Sequence, residues 1–440
     1  MLPESSVPDR RTFLTTAGAV ALSATAFGQF STRSRRDEIR VGLVGCGGRG
    51  TGAAVNALNA DPAVRLVALG DWFPDRIERA LAGLMEDAGP PATGPDGKPT
   101  SAAPSIAERV DVPPERRFVG QDAIDRVLAC DIDIVILATS PGFRPAHMEK
   151  AVAAGKHMFV EKPVAVDTPG LIRVRKACEA AAAKQLVVVS GLCWRYDYGM
   201  RATFDAVHQG GIGTMRAMQC SYLTGSLWHH GRKPEWSEAD YQIRNWLYFN
   251  WLSGDHLNEQ AIHSLDKLLW ARQDQPPAKV TAMGGRQVRT DPKYGHIYDH
   301  FSAVYVWPDG VKGFAWCRQM DGCKGDVSDH LFGSEGVCDV FKHTIRGARE
   351  WNYTGPSNNM YQTEWDELVA AVRAGKTINN GDYMVKSTMM AIMGRMAAYT
   401  GQEVTWQQAW ESQENLFPAS FADADMKVAP VAMPGITKFV

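Results

Sequence analysis

Two histidines and two carboxylates recur at spacings of three, four and three residues in GDHLNEQAIHSLDK: His256, Glu259, His263 and Asp266. On a helix that spacing puts all four along one face. Such groups are costly to bury without a use. Imidazole titrates near neutrality and suits proton transfer. The run H-x-x-E-x-x-x-H could also present three ligands to a metal, or form a hydrogen-bonded seam between domains. The reading adopted is a metal-free site. Far upstream, Gly45-Cys46-Gly47-Gly48-Arg49-Gly50 fits G-x-G-x-x-G. That pattern alone is weak. It gains force when it follows a strand and opens a helix, where it binds a dinucleotide.

The surrounding pattern supplies that context. IRVGLVG (39–45) reads as a buried strand, TGAAVNALNA as the helix after it, and VRLVALGD (64–71) as a second strand. A helix near 74–87 follows, then DIDIVILATS (131–140), a helix near 145–154, HMFVEKP (157–163), a helix near 168–183 and LVVVSGL (186–192). Strands alternating with helices imply right-handed crossovers and a doubly wound parallel sheet. In that frame Gly45 permits the tight turn, Gly47 lets the backbone approach a pyrophosphate, and Gly50 lets helix and strand pack closely. The helix N-terminus then faces the phosphates. Asp71 ends the second strand, where a carboxylate accepts hydrogen bonds from the adenosine ribose and repels a 2′-phosphate, so NAD is favoured over NADP. Arg76 stands near enough in sequence to accept that phosphate instead.

After about residue 195 the texture changes to longer alternations at 215–223, 279–288, 299–308 and 311–319, with Pro308-Asp309-Gly310 as a hairpin turn. These imply an open, mainly antiparallel sheet with one helix near 256–270 laid against it. Helical periodicity returns at 361–374 and 384–398. The expected domains are 38–192, dinucleotide-binding, and 193–440, for substrate and oligomerisation. The Pro/Gly/Ser-rich stretch 89–105 reads as an exposed insertion.

These motifs together resemble the Gfo/Idh/MocA family, named for glucose–fructose oxidoreductase and inositol dehydrogenase. The resemblance spans roughly 38–400. It rests on the glycine loop, ATSPGFRPAHMEKAVAAGKHMFVEKP (138–163), GGIGTM (210–215) and GDHLNEQAIHSLD (254–266). It implies a Rossmann domain followed by an α/β domain with an open sheet, and hydride transfer between a nicotinamide cofactor and a ring hydroxyl of a sugar or cyclitol. It places Lys162 of Glu161-Lys162-Pro163 beside the reacting hydroxyl, where an ammonium stabilises a developing alkoxide. It makes His263 the general base and Asp266 its orienting or substrate-binding partner. Thr139 and Glu161 fall among the cofactor contacts, and Arg195, His256 and Tyr298 among the substrate contacts. One departure is Glu259, where the family commonly carries Asp. The segment WHHGRKPEWSEADYQIRNWLYFNW (228–251) is rich in aromatic, His and Arg side chains, which suits a polyol. The family often uses the free face of its open sheet to form oligomers, so a homo-oligomer is expected.

Composition narrows the alternatives. A formal charge of −2 over 440 residues offers no field for nucleic acid or an anionic membrane. Eight scattered cysteines without C-x-x-C spacing read as buried thiols. Residues 1–37 read as a signal and linker. Arg10-Arg11 before Phe13-Leu14 and an Ala-rich stretch to Ala26 resemble a twin-arginine signal. That stretch is too short and too rich in small residues to be a stable membrane span. Export of a folded protein through that machinery to the periplasm would carry the dinucleotide out already bound. A retained cofactor leaves two further readings open. One is a redox-neutral glycoside hydrolase or lyase working through a transient keto-sugar. The other is a non-catalytic sugar- or dinucleotide-binding protein.

Overall fold

A computed structural model describes residues 37–86, 105–423 and 425–440. The paired-arginine stretch and nearly all of the 89–105 insertion lie outside the described residues. The first sheet is built from β1 (Ile39–Val44), β2 (Val64–Asp71), β3 (Arg117–Val119), β4 (Ile134–Leu137), β5 (His157–Val160) and β6 (Val188–Ser190). Between them run α1 (Gly48–Ala60), α2 (Pro74–Glu86), α3 (Ala123–Ala129), α4 (Arg144–Ala153) and α5 (Thr168–Ala183). All pairings are parallel, in the order β3-β2-β1-β4-β5-β6. Helices cover both faces, so β4 reads as an unbroken apolar run with all four residues buried. The order reverses between β1 and β4, which opens a crevice at their C-terminal ends.

The chain then forms α6 (Tyr198–His208), β7 (Met215–Thr224), α7 (Glu238–Arg244), α8 (Asn250–Ser253), α9 (Asp255–Glu259) and α10 (Ile262–Ala271). Next come β8 (Lys279–Gly285), β9 (His300–Val306), β10 (Lys312–Gln319), β11 (Asp326–Gly333), β12 (Gly336–Asp339), β13 (Thr344–Gly347) and β14 (Trp351–Asn352). The chain closes with α11 (Met360–Ala374), α12 (Gly381–Thr400), β15 (Val404–Thr405) and α13 (Trp406–Glu411). The second sheet has nine strands, antiparallel throughout except where β7 and β10 pair in parallel. The Pro308-Asp309-Gly310 turn joins β9 to β10, with Gly310 at φ +84. Alternation along β9 and β10 buries Phe301, Ala303, Tyr305, Ala315 and Cys317 against the helices. α12 is buried along almost its whole length and packs against α5, α10 and β8.

Two findings differ from the sequence reading. The single helix expected near 256–270 breaks at Gln260–Ala261 into α9 and α10. The helix α11, assigned with the second domain, crosses back and packs on α1, where Trp365, Leu368 and Val369 join the core of the first sheet. Among the described residues, no helix is long and apolar enough to cross a membrane. All eight cysteines are free.

Candidate active site

The glycine loop lies at the crevice. Gly45 has φ +99, and a Cβ there would sit 2.5 Å from the carbonyl carbon of Ala138, so only glycine makes this turn. A Cβ on Gly50 would meet the Gly45 oxygen at 1.9 Å, which shows how tightly α1 is drawn onto β1. Gly47 instead opens onto free space, with only Arg76 nearby at 3.6 Å. It precedes α1 as an N-cap without a side-chain hydrogen bond, so first-turn N–H groups are left for an anion. This loop fits a dinucleotide pyrophosphate.

The loop separates two chambers that share Gly47, Arg76, Ala138, Thr139, Ser140 and Trp246. The smaller, about 120 Å³, is walled by Asp71, Trp72, Phe73, Arg76, Phe143 and Ile243. The Asp71 carboxylate accepts from Cys46 N at 2.7 Å and Phe73 N at 3.0 Å. Burial pushes its pKa up, partly offset by those two N–H groups and by Arg76. Thr139 Oγ1 lies 3.2 Å from His147 Nδ1. Asp71 and Arg76 thus line the same chamber.

The larger chamber, about 590 Å³, collects Arg49, Arg144, Glu161, Lys162, Trp228, His230, Glu259, His263 and Tyr361. Lys162 follows β5 and donates from Nζ to the Glu259 carbonyl at 2.8 Å; Glu259 Oε1 lies 3.8 Å from the same ammonium. Glu259 Oε2, His263 Nδ1 and Arg144 Nε are buried without protein partners. Burial holds the His263 pKa well below the usual imidazole range, and the positive charges of Lys162, Lys267 and Arg49 push it the same way. The ring is thus neutral at physiological pH and keeps one nitrogen able to take a proton. Glu161 accepts from Arg49 Nε at 2.5 Å, and Arg49 also reaches Glu364 of α11 at 3.3 Å. The phosphate loop, the lysine turn and α11 are locked together at this point. Cys193 also borders the chamber, but burial pushes its thiol up to about 12, so it is not a thiolate there.

Four candidates from the sequence need correction. Arg195 and Asp266 do not line either chamber. Arg195 grips Asp266 through Nε at 3.0 Å and Nη2 at 2.8 Å, and Asp274 through Nη2 at 2.6 Å. Asp266 also accepts from Ser387 at 2.7 Å and is 1% exposed. Its hydrogen bonds go to Arg195 and Ser387 rather than to His263, and it borders neither chamber. His256 pairs through Nδ1 with Asp255 at 3.0 Å and packs edge-on to Phe301. Tyr298 donates its hydroxyl to the Ala432 carbonyl at 2.8 Å. For His256 and Asp266 the physical reason is the break at Gln260–Ala261. It leaves only Glu259 and His263 of the four-residue stripe at the chamber. The H-x-x-E-x-x-x-H run therefore does not converge, and no metal-ligating cluster occurs among the described residues.

The sequence reading missed Arg49, Arg144, His147, Cys193 and Tyr361 as wall residues. Four of them lie inside or beside the motifs already quoted. Tyr361 comes from α11, which nothing in the local sequence ties to this chamber.

A Rossmann crevice with a built phosphate loop, opening onto a lysine, a carboxylate and a neutral histidine, defines a dinucleotide-dependent oxidoreductase. Comparison with known proteins agrees. The model of an oxidoreductase family with an NAD-binding Rossmann fold matches residues 39–192, and the GFO/IDH/MocA C-terminal domain matches 200–338. The chain belongs to the Gfo/Idh/MocA oxidoreductase family, and its first domain is the NAD-binding one. Inositol 2-dehydrogenase 3 of Saccharopolyspora erythraea is 30% identical over 188 residues, 43% of this chain and 48% of that protein. That match spans about half of the relative's length. Inositol 2-dehydrogenase of Burkholderia ambifaria is 25% identical over 349 residues, covering 76% of this chain and 92% of that protein. The crystal structure of myo-inositol 2-dehydrogenase from Lactobacillus plantarum shares the fold, with TM-score 0.61 at 18% identity over 84% of this chain and 99% of that one.

Proposed function

We propose that this protein is an NAD-dependent dehydrogenase of a ring hydroxyl on a cyclitol or sugar. The observation that carries the reading is the meeting of Lys162, Glu259 and His263 on one chamber that continues into the glycine loop. NAD, when bound, supplies the hydride acceptor; Gly45, Gly47, Gly50, Asp71, Thr139 and Glu161 are the residues placed to hold it. Lys162, fixed by the Glu259 carbonyl, presents its ammonium to the reacting hydroxyl and stabilises negative charge on that oxygen. His263, held neutral, receives the hydroxyl proton. Glu259 accepts a neighbouring hydroxyl. Trp228 and His230, with ring centres 4.9 Å apart, and Trp246 offer flat faces to the apolar side of a ring. The inositol dehydrogenases named above support a cyclitol as the first substrate to try.

The test is NAD reduction by purified protein on a panel of myo-inositol, scyllo-inositol and common aldoses. His263→Ala and Lys162→Met should each lower kcat by roughly 10²–10⁴ while NAD still binds. Full activity in both variants would remove these residues from the reaction.

We infer export by the twin-arginine route from Arg10-Arg11 and the Ala-rich stretch behind them. Replacing both arginines by lysine should keep a periplasmic reporter fused to residues 1–37 in the cytoplasm. We also infer self-association through the free face of the second sheet. There Met283, Ser302 and Trp316 stand abreast on β8, β9 and β10, with Val304 beside Phe314 in the next row. Trp316 is 40% exposed and Met283 72%, an apolar surface that a partner copy would cover. Trp316→Glu should lower the mass seen by light scattering; an unchanged mass would refute this interface.

A further inference from the structure

The loop after β2 with the first turn of α2, and the helix α7, meet at the smaller chamber, although they come from different domains. Trp72 Nε1 donates to Asp240 Oδ1 at 2.9 Å. Asp75 accepts from Arg244 Nη2 at 2.8 Å and from Nη1 at 3.3 Å. The Arg244 guanidinium also lies 3.8 Å over the Phe73 ring and 4.7 Å from the centre of Trp236. Asp240 and Arg244 stand four residues apart, on one side of α7.

The helix is itself held in place. Asp240 Oδ2 completes a capping box with Ser237 and leaves Oδ1 for Trp72. Gln242 Nε2 donates to the Met426 carbonyl at 2.6 Å, and Glu238 N to Asp423 at 3.0 Å. The same tail lays Phe421 edge-on against Trp72, ring centres 5.1 Å apart. Asn245, next in the chain, exchanges hydrogen bonds with the His230 backbone at 2.8 and 3.0 Å. Ile243 and Trp246 then line the same chamber as Asp71, Phe73 and Arg76.

The ties therefore join two elements that both wall this chamber. Each is modest alone. The ion pair is half-exposed on its Asp75 side, and such pairs contribute little in water. Bidentate geometry, the aromatic face beneath the guanidinium and the indole hydrogen bond act on one closure. We propose that α7 is a clasp over the adenosine end of the site, and that a bound dinucleotide leaves only when the Trp72–Asp240 and Asp75–Arg244 ties open. The proposal rests on the NAD-binding reading of the first domain.

The experiment measures release rates of bound NADH, ADP-ribose and nicotinamide mononucleotide from the purified full chain, by displacement with excess NAD. It compares wild type with Asp75→Asn and Trp72→Phe. The first change removes one charge on an accessible side chain, and the second keeps the ring while removing the indole N–H. Both variants should release NADH and ADP-ribose roughly tenfold faster, the change expected for about 1.4 kcal/mol. Nicotinamide mononucleotide has no adenosine, and its release should not change. Wild-type rates for NADH in both variants would overturn the clasp and leave the dehydrogenase reading intact. Equal acceleration of all three ligands would also overturn it, because the ties would then act on the domain as a whole. A wild-type chain that binds no nucleotide would overturn both readings together.

Discussion

Asp71→Ala is the sharpest test of cofactor choice, because the structure gives this carboxylate two duties. It accepts main-chain N–H groups from Cys46 and Phe73, and it walls the adenosine chamber with Arg76. Hydrogen bonds to a charged acceptor contribute roughly 1.5–3 kcal/mol each. Against this, the carboxylate is largely buried, and burial raises its pKa, so its own desolvation offsets part of the gain. A stability loss of about 2–4 kcal/mol is expected. The specificity effect is separate. A unit charge on a 2′-phosphate about 4 Å from the carboxylate is repelled by about 4 kcal/mol at an effective dielectric of 20. Arg76 in the same wall cancels part of that repulsion. A net change of about 1.4–3 kcal/mol follows, or roughly tenfold to a hundredfold in relative preference. The assay is the ratio of kcat/KM for NAD to that for NADP, below the variant's own unfolding temperature, beside the reciprocal variant Arg76→Ala. The ratio should fall in Asp71→Ala and rise in Arg76→Ala. A ratio unchanged in a folded Asp71→Ala protein would refute the assignment, whatever its stability.

Three other outcomes can be checked. The rate should hold as pH falls through the ordinary imidazole range near 6.5, because burial and nearby cations depress His263. In Lys162→Met the residual rate should show its acid limb at higher pH, since one of those cations is gone; a limb at the same pH would deny the coupling. His147 is buried neutral, its pKa lowered to about 3 by desolvation. The unfolded chain takes up a proton below about 6.5 that the folded chain refuses, so its contribution to stability shrinks by up to about 1.4 kcal/mol per pH unit down to that value. Urea unfolding of wild type and His147→Gln at pH 7 and 5 should show the gap closing, and a constant gap would contradict it. Arg195→Ala should lower stability by roughly 3–5 kcal/mol, because it strands a buried Asp266. The folded fraction should keep its affinity for substrate, and a raised KM without lost stability would return Arg195 to the substrate site.

The first sheet was legible almost strand by strand. β2 and α5 end where periodicity and the flanking Gly, Pro and Asp residues place them, because a parallel strand buried on both faces must be apolar throughout. β3 was not legible: three residues, Arg117–Val119, carry too little pattern to separate from a loop. β12, β13 and β14 were hidden for the same reason, with only four, four and two residues.

The site was harder to read because sequence spacing reports a face only while the helix continues. His256, Glu259, His263 and Asp266 have the spacing of one stripe, and no Gly or Pro marks the break at Gln260–Ala261. The positive φ values at Gly254 (+69) and Asp255 (+69) fall at the N-cap and first residue of α9, where Asp255 is pinned by Tyr298 N and the Tyr399 hydroxyl. Those partners lie far along the chain and leave no local trace. A buried Arg–Asp pair and an active-site Arg–Asp pair also use the same letters. What separates Arg195–Asp266 from Lys162–Glu259 is satisfaction: the Asp266 carboxylate is filled by protein donors, while Glu259 keeps an oxygen without a partner beside the cavity. An unfilled hydrogen-bonding capacity on a cavity wall is therefore the feature that marks chemistry here, and it can be read only after the chain has folded.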